Sequence, residues 1–270
     1  MSQFKPVHNA HAIESVLTGI QFSRALDDSD FKEVRKMAMA FKDDLPRQVE
    51  IQGMMLSFAL PGAVPTPTSE GFVLQNIERD GSISSELRIE PASITYRTDT
   101  YMRWDGMWST AKKYYNSLVP EFTNTSAIAG ISLKYFDKFV WDGKVSEFQP
   151  RLLLRKDCEY LCPHIYGSDD LWHSHTGKFM RVENNIKRLI NLNIDCLDER
   201  DASGEDQRAV KIATVITDSF NQPDYDATNI EPQSVENFID EHMDKLHKFS
   251  KQTLAGIICD DMCKRIGLFE

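Results

Sequence analysis

The sequence predicts an α+β fold in which antiparallel sheets carry amphipathic helices on one face. Several apolar runs of strand length follow one another without a helix between them. Strands and helices therefore do not alternate singly, as they would in a parallel doubly wound sheet. Each half of the chain places consecutive strands before an amphipathic helix, an order that fits two related halves. We divide the chain into residues 1–145 and 146–270, and the second half ends in a long helix.

The first half is predicted to open with a strand at residues 15–24 and a helix behind it. Asp30 and Glu33 have the spacing of the N-cap and N3 residues of a capping box. Apolar residues then recur at helical spacing, and Pro46 follows where the helix is expected to stop.

Four strands are predicted next, at residues 49–60, 71–79, 82–89 and 92–98. Asp80-Gly81 separates the second from the third, and Asp-Gly is a preferred two-residue hairpin turn in which both residues have positive φ. A helix follows whose Trp104 and Trp108 are expected to be anchored in the core, with Pro120 beyond its end. A strand at residues 128–140 closes this half.

The second half is predicted to contain three strands and the final helix. Segments 171–182 and 186–197 are typical of an antiparallel pair, and residues 210–220 of the last strand. The acidic segment 198–207 lacks the spacing of a calcium loop and is expected to be solvated. Ser234 is the predicted N-cap of the helix, and Gly256 is expected to interrupt it.

Composition limits the classes of function. The 270 residues have a formal net charge of −10, which disfavours broad contact with nucleic acid. No apolar run approaches the length of a membrane span, and the first 20 residues do not resemble a secretion signal. Five cysteines, an odd number in a large chain, are expected to be reduced thiols. A cytoplasmic location follows as an expectation.

Three short segments carry a resemblance to a known family. They are Tyr101-Met102-Arg103-Trp104, the strand at residues 130–139, and the strand at residues 212–219 with Leu246-His247. On these segments the chain resembles a sporadically distributed bacterial family of uncharacterised proteins of similar length. Lys134 stands where that family has arginine, and Phe136-Asp137 stand where it has Ile-Asn.

The resemblance implies a setting rather than a reaction. Scattered distribution among bacterial genomes implies defence, anti-defence or toxin neutralisation, with a protein partner encoded by an adjacent gene. No catalytic residues come with it. It adds His247 as a candidate binding residue.

The usual catalytic motifs are absent from the sequence. It has no Walker loop, no Gly-x-Gly-x-x-Gly turn, no Gly-x-Ser-x-Gly elbow and no His-Glu-x-x-His helix. The favoured interpretation is therefore a non-catalytic recognition protein that binds a protein partner or a small ligand and needs no cofactor. The oligomeric state is not predicted.

Two alternatives remain open at this point. A zinc- or thiol-dependent enzyme would be centred on residues 158–175, with the candidate ligands Cys158, Cys162, His164, His173 and His175. A basic hairpin carrying Lys178, Arg181, Lys187 and Arg188 would bind single-stranded nucleic acid, with Phe179 as a stacking partner. The same cations would also protect an edge strand from pairing, which we favour over nucleic-acid binding.

Overall fold

The computed structural model describes residues 3–55, 66–183, 186–200, 204–220 and 232–269. It confirms the α+β class. Its strands are β1 (Phe4–Pro6), β2 (Ile13–Phe22), β3 (Arg47–Met55), β4 (Thr66–Ile77), β5 (Ile83–Glu90), β6 (Ser93–Thr98), β7 (Ile128–Trp141), β8 (Trp172–Glu183), β9 (Ile186–Arg200) and β10 (Asp206–Phe220). Its helices are α1 (Asp28–Ala38), α2 (Trp104–Thr123), α3 (Pro232–Ala255) and α4 (Asp260–Arg265).

Hydrogen bonds join these strands in the order β3-β4-β5-β6-β2-β7-β10-β9-β8, and β1 pairs with β7. The chain divides by compactness into a terminal unit, residues 1–16, 132–221 and 238–270, and a central unit, residues 17–131 and 222–237. Strands β2 and β7 give residues to both units. This division differs from the boundary at residue 145 that the sequence suggested.

In the central unit, α2 packs on its strands through aromatic side chains. The hydroxyls of Tyr115 and Thr18 share a hydrogen bond of 2.8 Å, and both residues are buried. Phe122 stacks on Phe22 with ring centroids 4.3 Å apart. These contacts define a buried aromatic face of α2.

In the terminal unit, α3 covers one face of β9 and β10. Burial alternates along both strands, so that Ile190, Ile212 and their neighbours two residues away form the buried face. Leu254 and Ile257, at the end of α3 and just after it, belong to the same core. The other face of these strands is half-buried.

Local signals in the first half were close to correct but displaced. The N-cap of α1 is Asp27, whose Oδ1 accepts hydrogen bonds of 2.9 Å from the N–H groups of Ser29 and Asp30. The predicted cap Asp30 is therefore inside the helix. The backbone hydrogen bond from Asp30, together with those from Ser29, lowers the pKa of the Asp27 carboxyl.

The hairpin at Asp80-Gly81 forms, but its turn is not the predicted two-residue type. Gly81 has a φ of +88°, and no described non-glycine residue has a positive φ. Gly81 N–H donates to the Glu78 carbonyl, and Glu78 N–H donates to the Ser82 carbonyl. These bonds define a longer loop with a single left-handed glycine.

Three further element predictions need correction. Pro120 lies in the last turn of α2 rather than beyond it. Trp104 and Trp108 are half-buried and stack on each other, with ring centroids 5.7 Å apart, instead of forming core anchors. Helix α3 begins at Pro232, so Ser234 is inside it; the helix ends before Gly256, as predicted.

The predicted acidic loop at residues 198–207 is strand at residues 198–200 and 206–207, and residues 201–203 lie outside the described part of the chain. β9 continues to Arg200 and β10 begins at Asp206, and Asp198 lies opposite Arg208. The Asp198 carboxylate accepts two hydrogen bonds from the Arg208 guanidinium, at 2.8 and 3.0 Å. Part of the acidic character therefore serves cross-strand pairing. None of the helices in the described ranges is both long and apolar enough to cross a membrane.

Candidate partner-binding surface

Strand β8 ends the strand order, and its distal half is uncovered. Each residue from 177 to 182 is exposed, so this part of the strand is open on both of its faces. Phe179 is 64% exposed, Met180 36% and Val182 38%. Large apolar side chains are normally buried, and a cluster of exposed ones marks an interaction site.

The proximal half of β8, in contrast, is partly covered by another segment of the same unit. Trp172 is buried, in the same core as Leu153, Leu161 and Ile165. These three residues come from the irregular segment between β7 and β8, which contains three short 3₁₀ turns. Beyond Gly177 this segment still contacts Lys178, through Glu159 and Tyr160, but it leaves residues 178–182 exposed.

Gly177 fixes the approach of β8 to β9. It lies opposite Asn191. A Cβ atom at this position would come within 2.7 Å of the Ile190 carbonyl oxygen. Since that oxygen belongs to the backbone, any larger residue would push the two strands apart.

The exposed part of β8 carries positive charge, and a further cation lies beside it on β9. Arg181 and Lys187 are register partners on β8 and β9. Arg181 makes no ion pair with any other described residue, and the Lys187 ammonium lies 4.2 Å from the centroid of the Phe179 ring. Like charges directly opposite on adjacent strands are destabilising. We define the β8 surface as Lys178, Phe179, Met180, Arg181, Val182 and Lys187.

The third cation, Lys178, is partly neutralised. Its ammonium donates to Glu159 at 2.9 Å, and this contact raises the pKa of the lysine. It also lies 5.1 Å from the centre of the Tyr160 ring. Lys178 therefore has a partner within the chain, whereas Arg181 and Lys187 have no carboxylate partner among the described residues.

Elsewhere on the half-buried face of this unit, lysines are matched by carboxylates. Lys211 lies 3.0 Å from Glu199 and 3.5 Å from Glu14, and Lys138 contacts the same two carboxylates. Two lysines and two glutamates thus form a neutral network across the strands. Among the described residues, the lack of a carboxylate beside Arg181 and Lys187 is therefore a local feature of the β8 surface.

Arg188, predicted with the other basic residues, does not lie on this surface. It is 5% exposed and donates two hydrogen bonds, of 2.7 and 2.8 Å, to the Asp218 carboxylate. Phe249 of α3 packs over its guanidinium, and the His242 ring lies 3.8 Å from Asp218. Burial opposes ionisation of Asp218, but the hydrogen bonds from Arg188, together with the nearby His242 ring, keep its pKa below the usual value.

His247 also lies apart from the β8 surface. It is half-buried on α3, and its Nδ1 shares a hydrogen bond of 2.9 Å with the Tyr135 hydroxyl of β7. This contact ties the helix to the sheet. We leave Arg188 and His247 out of the candidate surface.

The five predicted metal ligands are not brought together. Cys158 is buried in the core, while Cys162 and His164 are exposed. His173 Nδ1 bonds to Asp195, and His175 Nε2 lies 2.7 Å from Asn191 Oδ1. Within the described ranges, no three His, Cys, Asp or Glu side chains are arranged to hold a metal ion. The zinc interpretation gains no support from this geometry.

The thiol interpretation fares no better at Cys158. Burial raises the pKa of this thiol, and the nearby Glu159 and Asp157 add to the effect. A nucleophilic cysteine needs a lowered pKa, because the thiolate is the reactive form. The environment of Cys158 therefore favours an inert, packed side chain.

Sequence reasoning missed Met180 and Val182. The available signal was that apolar residues occupy both parities at the end of β8, where Phe179 is followed by Met180 and then Val182. A strand covered on one face alternates instead. No family model and no curated protein matches the chain.

Proposed function

We propose that this protein is a non-catalytic recognition protein that binds a protein partner through the β8 surface. The observation that carries the proposal is the distal half of β8, which is exposed on both faces. Beside it lie two cations without a carboxylate partner among the described residues, Arg181 of β8 and Lys187 opposite it on β9. Exposed apolar side chains lower the solubility of the protein, and like charges on adjacent strands lower its stability. A partner that covers this surface is the best explanation for both. The family resemblance suggests the setting, namely defence, anti-defence or toxin neutralisation in a bacterial cytoplasm.

The charge of the chain supports an acidic partner site at this position. The net charge is −10, so an acidic partner is repelled from most of the surface and attracted only to local positive regions. Between residues 171 and 182 the sequence has two cations, two histidines and no carboxylate. Electrostatic steering would then select this edge of the sheet.

Edge protection is the competing explanation for the same cations. Charged residues on an edge strand prevent it from pairing with another copy. That explanation accounts for Lys178 and Arg181 but gives no reason for the exposed Phe179, Met180 and Val182. The two explanations also predict opposite results when the cations are removed.

The test is affinity capture from the protein's own host, comparing three forms of the chain. They are the wild type, the double variant Arg181→Glu with Lys187→Glu, and the matched control Lys32→Glu with Arg79→Glu. The control makes the same charge change at exposed residues outside the β8 surface. We expect one protein to be retained by the wild type and the control and lost from the double variant.

Two results would count against the proposal. One is equal recovery by all three forms, which would place the contact elsewhere. The other is no stable partner at all, together with self-association of a variant in which Arg181 and Lys187 are changed to alanine, the behaviour that edge protection predicts.

A further inference from the structure

We infer that the partner supplies an extended segment of alternating acidic and apolar residues, which adds as a further strand to the free edge of β8. This inference rests on the proposed function and names the chemistry that the β8 surface would recognise. It follows from three features of the edge: its backbone, its apolar side chains and its charge.

The backbone of β8 is regular enough to accept a strand. Its pairing with β9 runs without a shift from Trp172 opposite Cys196 to Arg181 opposite Lys187, and an irregularity follows after Arg181. In such an antiparallel pair, alternate residues direct their N–H and C=O groups away from the neighbouring strand. No strand in the described part of the chain pairs with that side of β8. An extended segment would find a ready ladder of donors and acceptors there.

The apolar side chains lie on both faces of the same stretch. Phe179 and Met180 are adjacent in the strand and therefore point to opposite faces. Helix α3 and the segment before β8 leave both of them exposed. An added strand that alternates acidic and apolar residues would place its apolar side chains beside Met180 on one face and its acidic side chains on the face of Phe179 and Arg181.

The positive charge selects the sign of the partner. Phe179 and Arg181 share one face of β8, and Lys187 of β9 extends over the Phe179 ring, toward the free edge. Carboxylates at alternate positions of an added strand would lie on this face, within reach of Arg181 and of Lys187. Opposite charges on neighbouring strands stabilise pairing.

The same charge argues against a second copy as the occupant. Edge-to-edge pairing of two β8 strands would bring Lys178, Arg181 and Lys187 of both copies together, with only Glu159 nearby at Lys178. A nucleic acid fits less well, because Arg181 and Lys187 beside exposed apolar side chains do not form a continuous basic groove. An acidic protein segment satisfies both the charge and the apolar side chains.

The experiment measures the binding of a fluorescent peptide of alternating glutamate and valine by anisotropy at low salt. A lysine–valine peptide is the charge control. Two further glutamate–valine peptides carry N-methyl groups on alternate amides, one in each of the two phases. An edge strand uses only alternate amides of its partner, so methylation in one phase should abolish binding and methylation in the other should not.

We expect the glutamate–valine peptide to bind and the lysine–valine peptide not to bind. Arg181→Glu with Lys187→Glu should weaken binding about tenfold, as the reversal of two exposed ion pairs would. Lys32→Glu with Arg79→Glu should leave it unchanged. Equal melting temperatures of the three proteins would show that the variants are folded.

Four results would overturn the inference. Equal binding of both methylated peptides would mean that side chains alone make the contact. Absence of peptide binding, with a captured partner that still depends on Arg181, would remove strand addition and leave the proposed function standing. A concentration-dependent dimer that buries β8 would identify a second copy as the occupant. Tighter, Arg181-dependent binding of a single-stranded oligonucleotide would identify nucleic acid.

Discussion

Two arginines on neighbouring strands of the terminal unit have opposite surroundings. Arg188 of β9 is buried, paired with Asp218 and covered by Phe249, whereas Arg181 of β8 is exposed and has no ion-pair partner among the described residues. The difference shows that positive charge is buried and paired where α3 covers the sheet and is exposed where that cover ends. Residue type alone does not separate the two roles.

The largest expected effect comes from breaking the covered pair. Arg188→Ala leaves the Asp218 carboxylate buried without its main partner, and removal of one member of a buried pair costs about 3–5 kcal/mol. Urea denaturation should show this loss, while Arg181→Ala should change the free energy of unfolding by no more than about 0.5 kcal/mol. Equal losses for the two variants would contradict the comparison.

A second buried carboxyl in the same unit makes no ion pair with a described residue. Asp137 of β7 is 3% exposed, and burial raises the pKa of its carboxyl to about 7. It forms no hydrogen bond or ion pair with another described residue. A carboxyl whose pKa is raised on folding favours the folded state most at low pH, where the carboxyl is protonated in both the folded and the unfolded protein. That contribution is lost as the pH rises through the pKa of the folded state.

Asp137→Asn should therefore stabilise the protein at high pH. The shift from 3.8 to about 7 corresponds to a penalty on the order of 4 kcal/mol at about pH 8. We expect the variant to recover about 2 kcal/mol, because the amide still pays a polar desolvation cost. The gain should shrink as the pH falls from about 7 toward about 4. A gain of the same size at both ends would be inconsistent with this origin.

A smaller effect is expected where α3 is tied to β7. Tyr135→Phe removes the hydroxyl that bonds to His247 and retains the ring, so the loss should be about 1 kcal/mol, the usual net value of one hydrogen bond. Thermal unfolding can resolve this change. Binding of the glutamate–valine peptide should not change, because Tyr135 lies outside the β8 surface.

The smallest expected effect has the opposite sign. Lys187→Glu replaces a like-charge pair with an opposite-charge pair across β8 and β9, which should stabilise the protein by about 0.5 kcal/mol at low salt. The same change should weaken peptide binding. A variant that is more stable and binds less well would separate the needs of the fold from those of the partner. If Lys187→Glu bound the peptide as tightly as wild type, the charge assignment would be wrong.

Local pattern was sufficient to predict much of the fold. Alternation and helical spacing located the pairing of β8 with β9 and the aromatic face of α2, because both depend on neighbouring residues. Ends of elements were less accurate, since Asp27 and Asp30 have the same capping chemistry and only the backbone decides between them. Part of an expected loop was strand because Asp198 lies opposite Arg208 on the next strand. The acidic pattern of the segment does not indicate that pairing.

The candidate surface could be predicted only in part. Sequence alone grouped Arg188 with Arg181, because the partner of Arg188 is thirty residues away and becomes its neighbour only through the register of β9 and β10. Which strand lies at the edge depends on the pairing order of the whole sheet, and no short pattern encodes that order. Phe179 was recognisable as a candidate contact, and the cations beside it as candidates for protecting an edge strand, but the exposure of its strand on both faces was not predicted.

Gly177 is exposed, yet few other residues are expected to fit at its position. Exposed positions usually accept many residues, yet the Ile190 carbonyl leaves no room for a side chain at this one. In a saturation mutagenesis library selected only for folded protein, position 177 should tolerate few replacements while position 181 accepts nearly all. Conservation at such a glycine would then record strand spacing rather than partner recognition, and only the neighbouring positions would report on binding.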